Sequence, residues 1–361
     1  MKKKILIIVI AIFSFFVIAC GCLFGFYNSS LEARETDKDK VRVVQFTVEN
    51  GATATQVVDS LYEQKLIRNK YTARIFVRLN DGYLMQAGVY ELNDGMTFRE
   101  ILHKIDEGKV IDNSISVTFV EGKRITNYVK VISKNFGYSE DEILKTLSDK
   151  VYLQELIDKY WFLTEDILND KLYYALEGYL APNTYFFRED ASIKEIIEKL
   201  LDTTSIELEK VKDKIQSSEY SIHEMLTMAS IVELEGANSD DRKGVAGVFY
   251  NRLQNGWSLG SDVTTYYAEQ IEMSDRDLYQ KELDEVNDYN TRPAAMAGKL
   301  PIGPICNPGV ESIKAAIEPE EHDYFFFVAD KYKKTYFTKT NSEHVAIINK
   351  LKREGLWYTY E

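Results

Sequence analysis

Three times between residues 41 and 136 the apolar and polar positions spell one short unit: an alternating or β-branched strand, a turn with glycine, then an amphipathic helix. VRVVQFTV leads into Glu49-Asn50-Gly51-Ala52-Thr53 and ATQVVDSLYEQKLI. Val89-Tyr90-Glu91-Leu92 leads into Asn93-Asp94-Gly95-Met96-Thr97 and FREILHKIDEG, and residues 115–120 lead into Glu121-Gly122-Lys123-Arg124-Ile125-Thr126 and NYVKVISKNFG. Branched residues fit a pleated strand, glycine permits the turn, and a threonine hydroxyl satisfies the first N–H groups of a helix. The copies are unevenly spaced, which argues for related supersecondary units and against a solenoid. The first two, with YTARIFVRLN between them, predict a small module of βααβ type over residues 41–110, and residues 111–361 a mixed α+β domain.

Residues 130–175 read as charged helices, and 191–216 as further amphipathic helix. Between them, Leu176-Glu177-Gly178-Tyr179-Leu180-Ala181-Pro182-Asn183-Thr184-Tyr185-Phe186-Phe187 reads as a loop whose aromatic rings suit either stacking on sugar faces or core packing. Residues 239–255 carry Val245, Val248, Phe249 and Leu253 at helical spacing, and a proline-rich stretch at 300–309 forms a stiff loop. The end predicts a helix over 310–317, strands at 324–329 and 335–338, and a helix capped near Asn341 or Ser342.

One predicted helix carries candidate chemistry. SIHEMLTMASIVELEG, residues 221–236, opens on a Ser221/Glu224 capping box and stops at Gly236. Turning about 100° per residue, Ile222, Met225, Leu226 and Ala229 share a stripe that includes Glu233, while Glu224 and Glu235 project toward water. A carboxyl on an apolar stripe loses hydration, which raises its pKa and suits a general acid working near neutral pH. Such a glutamate can equally snorkel out of the core or meet an arginine.

Composition narrows the chemistry. A net charge of −13 without any basic block disfavours nucleic acid, and four histidines with three unpaired cysteines leave little for a metal site or a Cys-His nucleophile. No cofactor and no metal are expected. Lys2, Lys3 and Lys4 precede an uncharged run over residues 5–27, which as a helix would be roughly 35 Å long and would span a bilayer core of about 30 Å. The expected topology is a cytoplasmic terminus at 1–4, one membrane helix at 5–27, a tether at 28–40, and the remainder outside the cytoplasm. A cleaved signal, or a lipidated Cys20 after Val17-Ile18-Ala19, would export the same remainder.

In order along the chain stand Met228-Ala229-Ser230-Ile231-Val232-Glu233-Leu234-Glu235, Val248-Phe249-Tyr250-Asn251-Arg252-Leu253, Ser261-Asp262, Tyr289-Asn290-Thr291, residues 300–305, Asn307-Pro308-Gly309 and Ser312-Ile313-Lys314-Ala315-Ala316. This ordered series resembles the YceG-like family of endolytic peptidoglycan transglycosylases, and the segment from Glu177 to Tyr185 is similar to a further motif of that family. The resemblance implies a membrane-anchored lyase with a LysM-like module, peptidoglycan strands as substrate and peptidoglycan synthases as candidate partners. It also implies Glu233 as the catalytic acid, cleaving the MurNAc–GlcNAc β-1,4 bond without water and leaving a 1,6-anhydro end. Val263 stands where the motif leads one to expect proline. Asp262, Asn251 and Asn290 are candidates to hold sugar hydroxyls and acetamides, Glu177 to line the cleft or cap a turn, and Tyr179 and Tyr185 to line the cleft. A lysozyme-type hydrolase using Glu233 with Asp262, and a non-catalytic wall-binding scaffold, are the competing readings.

Overall fold

The computed structural model describes residues 16, 18–80, 82–108, 114–235, 238 and 240–357. It is a mixed α+β chain that divides into two compact units, one running up to Val117 and taking in Thr184–Glu189, the other made of Thr118–Asn183 and Asp190–Glu361. The expected membrane helix at 5–27 requires correction. Much of it lies outside the described residues, and among these no helix is long and apolar enough to cross a membrane.

In the first unit the order is β1 (Val43–Val48), α1 (Ala54–Glu63), α2 (Lys70–Leu79), β2 (Gly88–Asn93) and α3 (Phe98–Asp106). β1 and β2 pair antiparallel, from Val43 opposite Asn93 to Val48 opposite Gly88. The pleat turns Phe46, Val48, Tyr90 and Leu92 inward, where they meet Val58 and Leu61 of α1, Phe76 of α2 and Ile101 of α3. Thr53 with Gln56 and Thr97 with Glu100 form the capping boxes that the turn sequences foreshadow. The βααβ order is therefore the observed one.

β3 (Ser114–Phe119) is followed by α4 (Ile125–Phe136), α5 (Glu140–Leu147) and α6 (Lys150–Lys159), then by β4 (Asn183–Arg188), which pairs with β3. Residues 183–188 are thus strand and not loop. The third copy of the repeated unit also departs from its sequence reading, because Arg124 and not Thr126 is the residue preceding α4. Instead of a hydroxyl, the buried carboxyl of Glu177 receives the Ile125 N–H at 2.9 Å. The helix start is capped from elsewhere in the chain, which no local motif could announce.

The remaining elements, all in the second unit, are α7 (Ile193–Glu209), α8 (Lys212–Ser217), α9 (Ile222–Leu234), α10 (Arg242–Gln254), α11 (Asp262–Ala268), α12 (Gln280–Asp284), α13 (Val310–Ile317), β5 (Phe326–Ala329), β6 (Thr335–Thr338) and α14 (Asn341–Arg353). β5 and β6 form an antiparallel hairpin. α9 is the axis of the core: Met228, Ala229, Ile231 and Val232 pack with Val245, Ala246 and Phe249 of α10, Ala315 and Ala316 of α13, and the rings of Tyr267 and Tyr289. Burying each large apolar side chain contributes roughly 1.5–3 kcal/mol. Every residue of α9 from Met225 to Val232 is buried, so the single apolar stripe expected for this helix is in fact a helix enclosed all round, and its acids lie only near its ends.

Candidate active site

Glu233 ends the enclosed stretch of α9. The Ser221/Glu224 capping box starts the helix as expected, and Glu224 is exposed. Gly236 lies outside the described residues. Glu235 does not face water: burial raises its carboxyl above the ordinary range, and Ser261 Oγ donates to its Oε1 at 2.5 Å. The helix turns this acid into the protein because α9 has neighbours on every side.

The Glu233 side chain is 6% exposed and its two oxygens have separate partners. Arg242 Nη2, in the first turn of α10, lies 3.2 Å from Oε1, and the Gly309 N–H donates to Oε2 at 3.0 Å. Gly309 caps the start of α13, where the helix presents partial positive charge. Guanidinium, amide and helix end all stabilise a carboxylate anion. On the other side stands Gly122, at a φ of +71° that only glycine adopts freely; a Cβ here would sit 3.5 Å from Glu233 Cγ.

The loops around Glu233 are fastened by a buried polar cluster. Gly122 N donates to Asn307 O at 2.8 Å and Asn307 N to Lys123 O at 3.0 Å, an antiparallel bridge that ties the turn after β3 to the loop before α13. The Asn307 side chain is completely buried. Its Oδ1 accepts from Gly178 N and Leu180 N, and its Nδ2 donates to Lys123 O and Glu177 Oε1. Glu177 Oε2 accepts from the Tyr267 hydroxyl at 3.2 Å. Glu177 therefore caps α4 and braces Asn307 from inside the protein, with 2% of its surface exposed.

Burial pushes the Glu177 carboxyl up to about 8, while the Ile125 and Tyr267 hydrogen bonds and the Arg124 charge pull the other way. The sign of the resulting stability change follows from which state holds the proton. Above about pH 4.3 the unfolded chain releases it and the folded protein keeps it, so Glu177's contribution is full below that value and is lost as pH rises toward 8. Glu177→Gln removes the titration. We expect urea midpoints to show the variant gaining on the parent by about 2–4 kcal/mol between pH 5 and pH 8, at roughly 1.4 kcal/mol per pH unit.

The other residues singled out from sequence have polar atoms that are used within the protein. Asn290 is fully buried. Its Oδ1 accepts from Thr265 Oγ1 and Arg292 N, and its Nδ2 donates to the carbonyls of Glu282, Leu283 and Glu285. Asn251 Nδ2 donates to the carbonyls of His322 and Tyr324 and so holds the approach to β5. The Tyr179 hydroxyl meets His223 Nδ1 at 2.7 Å with its ring in the core, and Tyr185 is buried in β4. Asp262 is exposed at the start of α11 and forms an ion pair with Arg292; Val263, in the place expected for proline, is helical and packs into the core.

Arg242, Gly309 and Asn307 are the groups around Glu233 that the sequence reading did not single out as site residues. Glu121 is another: its exposed side chain borders Gly309, and a Cβ on Gly309 would collide with Glu121 Oε2 and lie 3.4 Å from Glu233 Oε2. The signals in the sequence are the Glu121-Gly122 turn for Glu121 and the Asn307-Pro308-Gly309 motif for Asn307 and Gly309. Nothing local to Arg242 distinguishes it from other surface arginines. Among the described residues no cluster of histidine, cysteine or acids could hold a metal ion.

A sequence model of the YceG-like family matches residues 46–350. An endolytic murein transglycosylase of Bacillus subtilis (strain 168) is 32% identical over 326 residues, covering 90% of this chain and 88% of that protein. An endolytic murein transglycosylase of Streptococcus pneumoniae (serotype 2, strain D39) is 25% identical over 345 residues, covering 91% of this chain and 62% of that protein. The crystal structure of a yceG-like protein from Listeria monocytogenes superimposes with a TM-score of 0.60 at 31% identity, over 84% of this chain and 98% of the other.

Proposed function

Since the chain belongs to the YceG-like family, we propose that it is a lytic transglycosylase that cuts peptidoglycan strands internally, with Glu233 as its catalytic acid and base. The enzyme class is supported by the likeness to endolytic murein transglycosylases, which extends over nine-tenths of the chain. The chemistry is supported by the setting of Glu233, a carboxyl withdrawn from water whose two oxygens meet a guanidinium and a backbone amide.

In this reading protonated Glu233 gives its proton to the GlcNAc O4 as the C1–O4 bond breaks. Arg242 and the Gly309 amide then hold the anion it leaves, which lowers the barrier to that transfer. The MurNAc 6-hydroxyl closes on C1 and returns its proton to Glu233, so the residue is reset without water. Cutting a growing strand in this way terminates it, which places the protein on the outer side of the cell membrane beside the enzymes that polymerise glycan. The βααβ module is the LysM-like part that would hold the strand.

Mass spectrometry of the products tests the reaction. Purified protein acting on peptidoglycan glycan should release fragments one water lighter than the hydrolytic product, ending in 1,6-anhydroMurNAc. Reducing ends in their place would favour the lysozyme-type alternative, in which a second carboxylate activates water or forms a covalent glycosyl intermediate.

A further inference from the structure

Beside Glu233 is a second carboxylate that the fold does not use. Glu121 leads the turn after β3, its side chain is exposed, and among the described residues no hydrogen bond or ion pair engages it. The other acids of the region are committed: Glu177 to Ile125, Asn307 and Tyr267, Glu235 to Ser261, Asp262 to Arg292. Nor is Glu121 on a free loop. The bridge of Gly122 and Lys123 to Asn307 fixes its backbone against the segment that ends in Gly309. Gly309 has no side chain, and it lies between the two acids: a Cβ there would collide with Glu121 Oε2 and come within 3.4 Å of Glu233 Oε2.

Departure of O4 leaves positive charge spread over C1 and O5 of MurNAc. Glu233 is occupied at that moment with O4 and then with the 6-hydroxyl, and its nearest charged neighbour, Arg242, is a cation. Neither of these groups opposes the sugar's charge. We propose that Glu121 is a second catalytic carboxylate, whose anion meets the C1–O5 side of the MurNAc ring and stabilises that charge. It forms no bond and exchanges no proton. The electron pair of the C1–O4 bond leaves with O4, a lone pair of the 6-oxygen closes on C1, and the hydroxyl proton goes to Glu233. An anion a few ångströms from developing positive charge, with water displaced by the bound glycan, acts at reduced dielectric and so has more effect than in water. This inference rests on Glu233 as the proton donor.

The test is steady-state kinetics of the full-length protein on glycan strands. Because Glu121 is exposed and without a partner, Glu121→Gln should keep the parent's thermal midpoint. Its kcat should fall roughly 10–100-fold with KM within about twofold, and the products should keep their anhydro ends. Glu121→Asp should recover part of the loss. The proposal is overturned if Glu121→Gln keeps kcat within about twofold of the parent while Glu233→Gln is inactive, if the loss falls in KM alone, or if a covalent glycosyl–Glu121 adduct is trapped. Activity retained by Glu233→Gln, or reducing ends from the parent, would instead refute the reading of the reaction, and the proposal with it.

Discussion

Glu233→Gln should leave a folded protein that releases no measurable anhydro-ended fragments, with kcat reduced by about 10³-fold or more. The amide keeps the volume of the side chain, and its single oxygen can accept from Gly309 N–H or from Arg242 but not from both, so one contact at the end of α9 is lost while the apolar packing of the helix is untouched. What it lacks is a proton to give to O4 and the basicity to take one from the 6-hydroxyl. Because one residue serves both transfers in this reading, the loss should approach the upper end of the roughly 10²–10⁴-fold span of acid–base catalysis. Fragment release followed by mass spectrometry checks it, alongside a thermal midpoint that should stay near the parent's. Undiminished release of anhydro ends would remove Glu233 from the reaction.

Asn307→Ala should be costly in a different way, lowering stability by about 3–5 kcal/mol and activity with it. Four hydrogen bonds disappear at a site with no access to water, leaving the amides of Gly178 and Leu180, the carbonyl of Lys123 and Oε1 of Glu177 each short of a partner. A buried group left unsatisfied costs about 1–3 kcal/mol, and neighbouring losses overlap rather than add. Urea titration with an unchanged m-value would report the loss as one of stability. A shift under 1 kcal/mol would mean that the loops around Glu233 are held by something other than this asparagine.

How much of this was legible in the chain depended on how far each determinant reaches along it. The capping boxes at Thr53, Thr97 and Ser221 involve residues three apart and were readable at sight. So was the order of strands and helices in the first unit. Periodicity sets Glu233 among the apolar positions and Glu235 toward water, but α9 has neighbours on every side, and the same enclosure withdraws both carboxyls. The start of α4 and the bracing of Asn307 both depend on Glu177, some 50 residues from Ile125 and 130 from Asn307. A bond across that separation leaves no pattern in a local window. Asn290 shows the same limit: an asparagine in a polar-looking loop can be a ligand for sugar or, as here, the pin on which the loop folds. The apolar amino-terminal run could be read by its length, yet among the described residues no helix is long and apolar enough to cross a membrane.

The acid proposed to do the chemistry is carried at the end of a helix that is buried on every face from Met225 to Val232. Its aim is therefore inherited from Met228, Ile231, Phe249 and Ala315, none of which need ever meet a sugar. A methylene lost beneath α9 would register as lost turnover before it registered as an unfolded protein, since a shift of a fraction of an ångström in the last turn is enough to misdirect a proton.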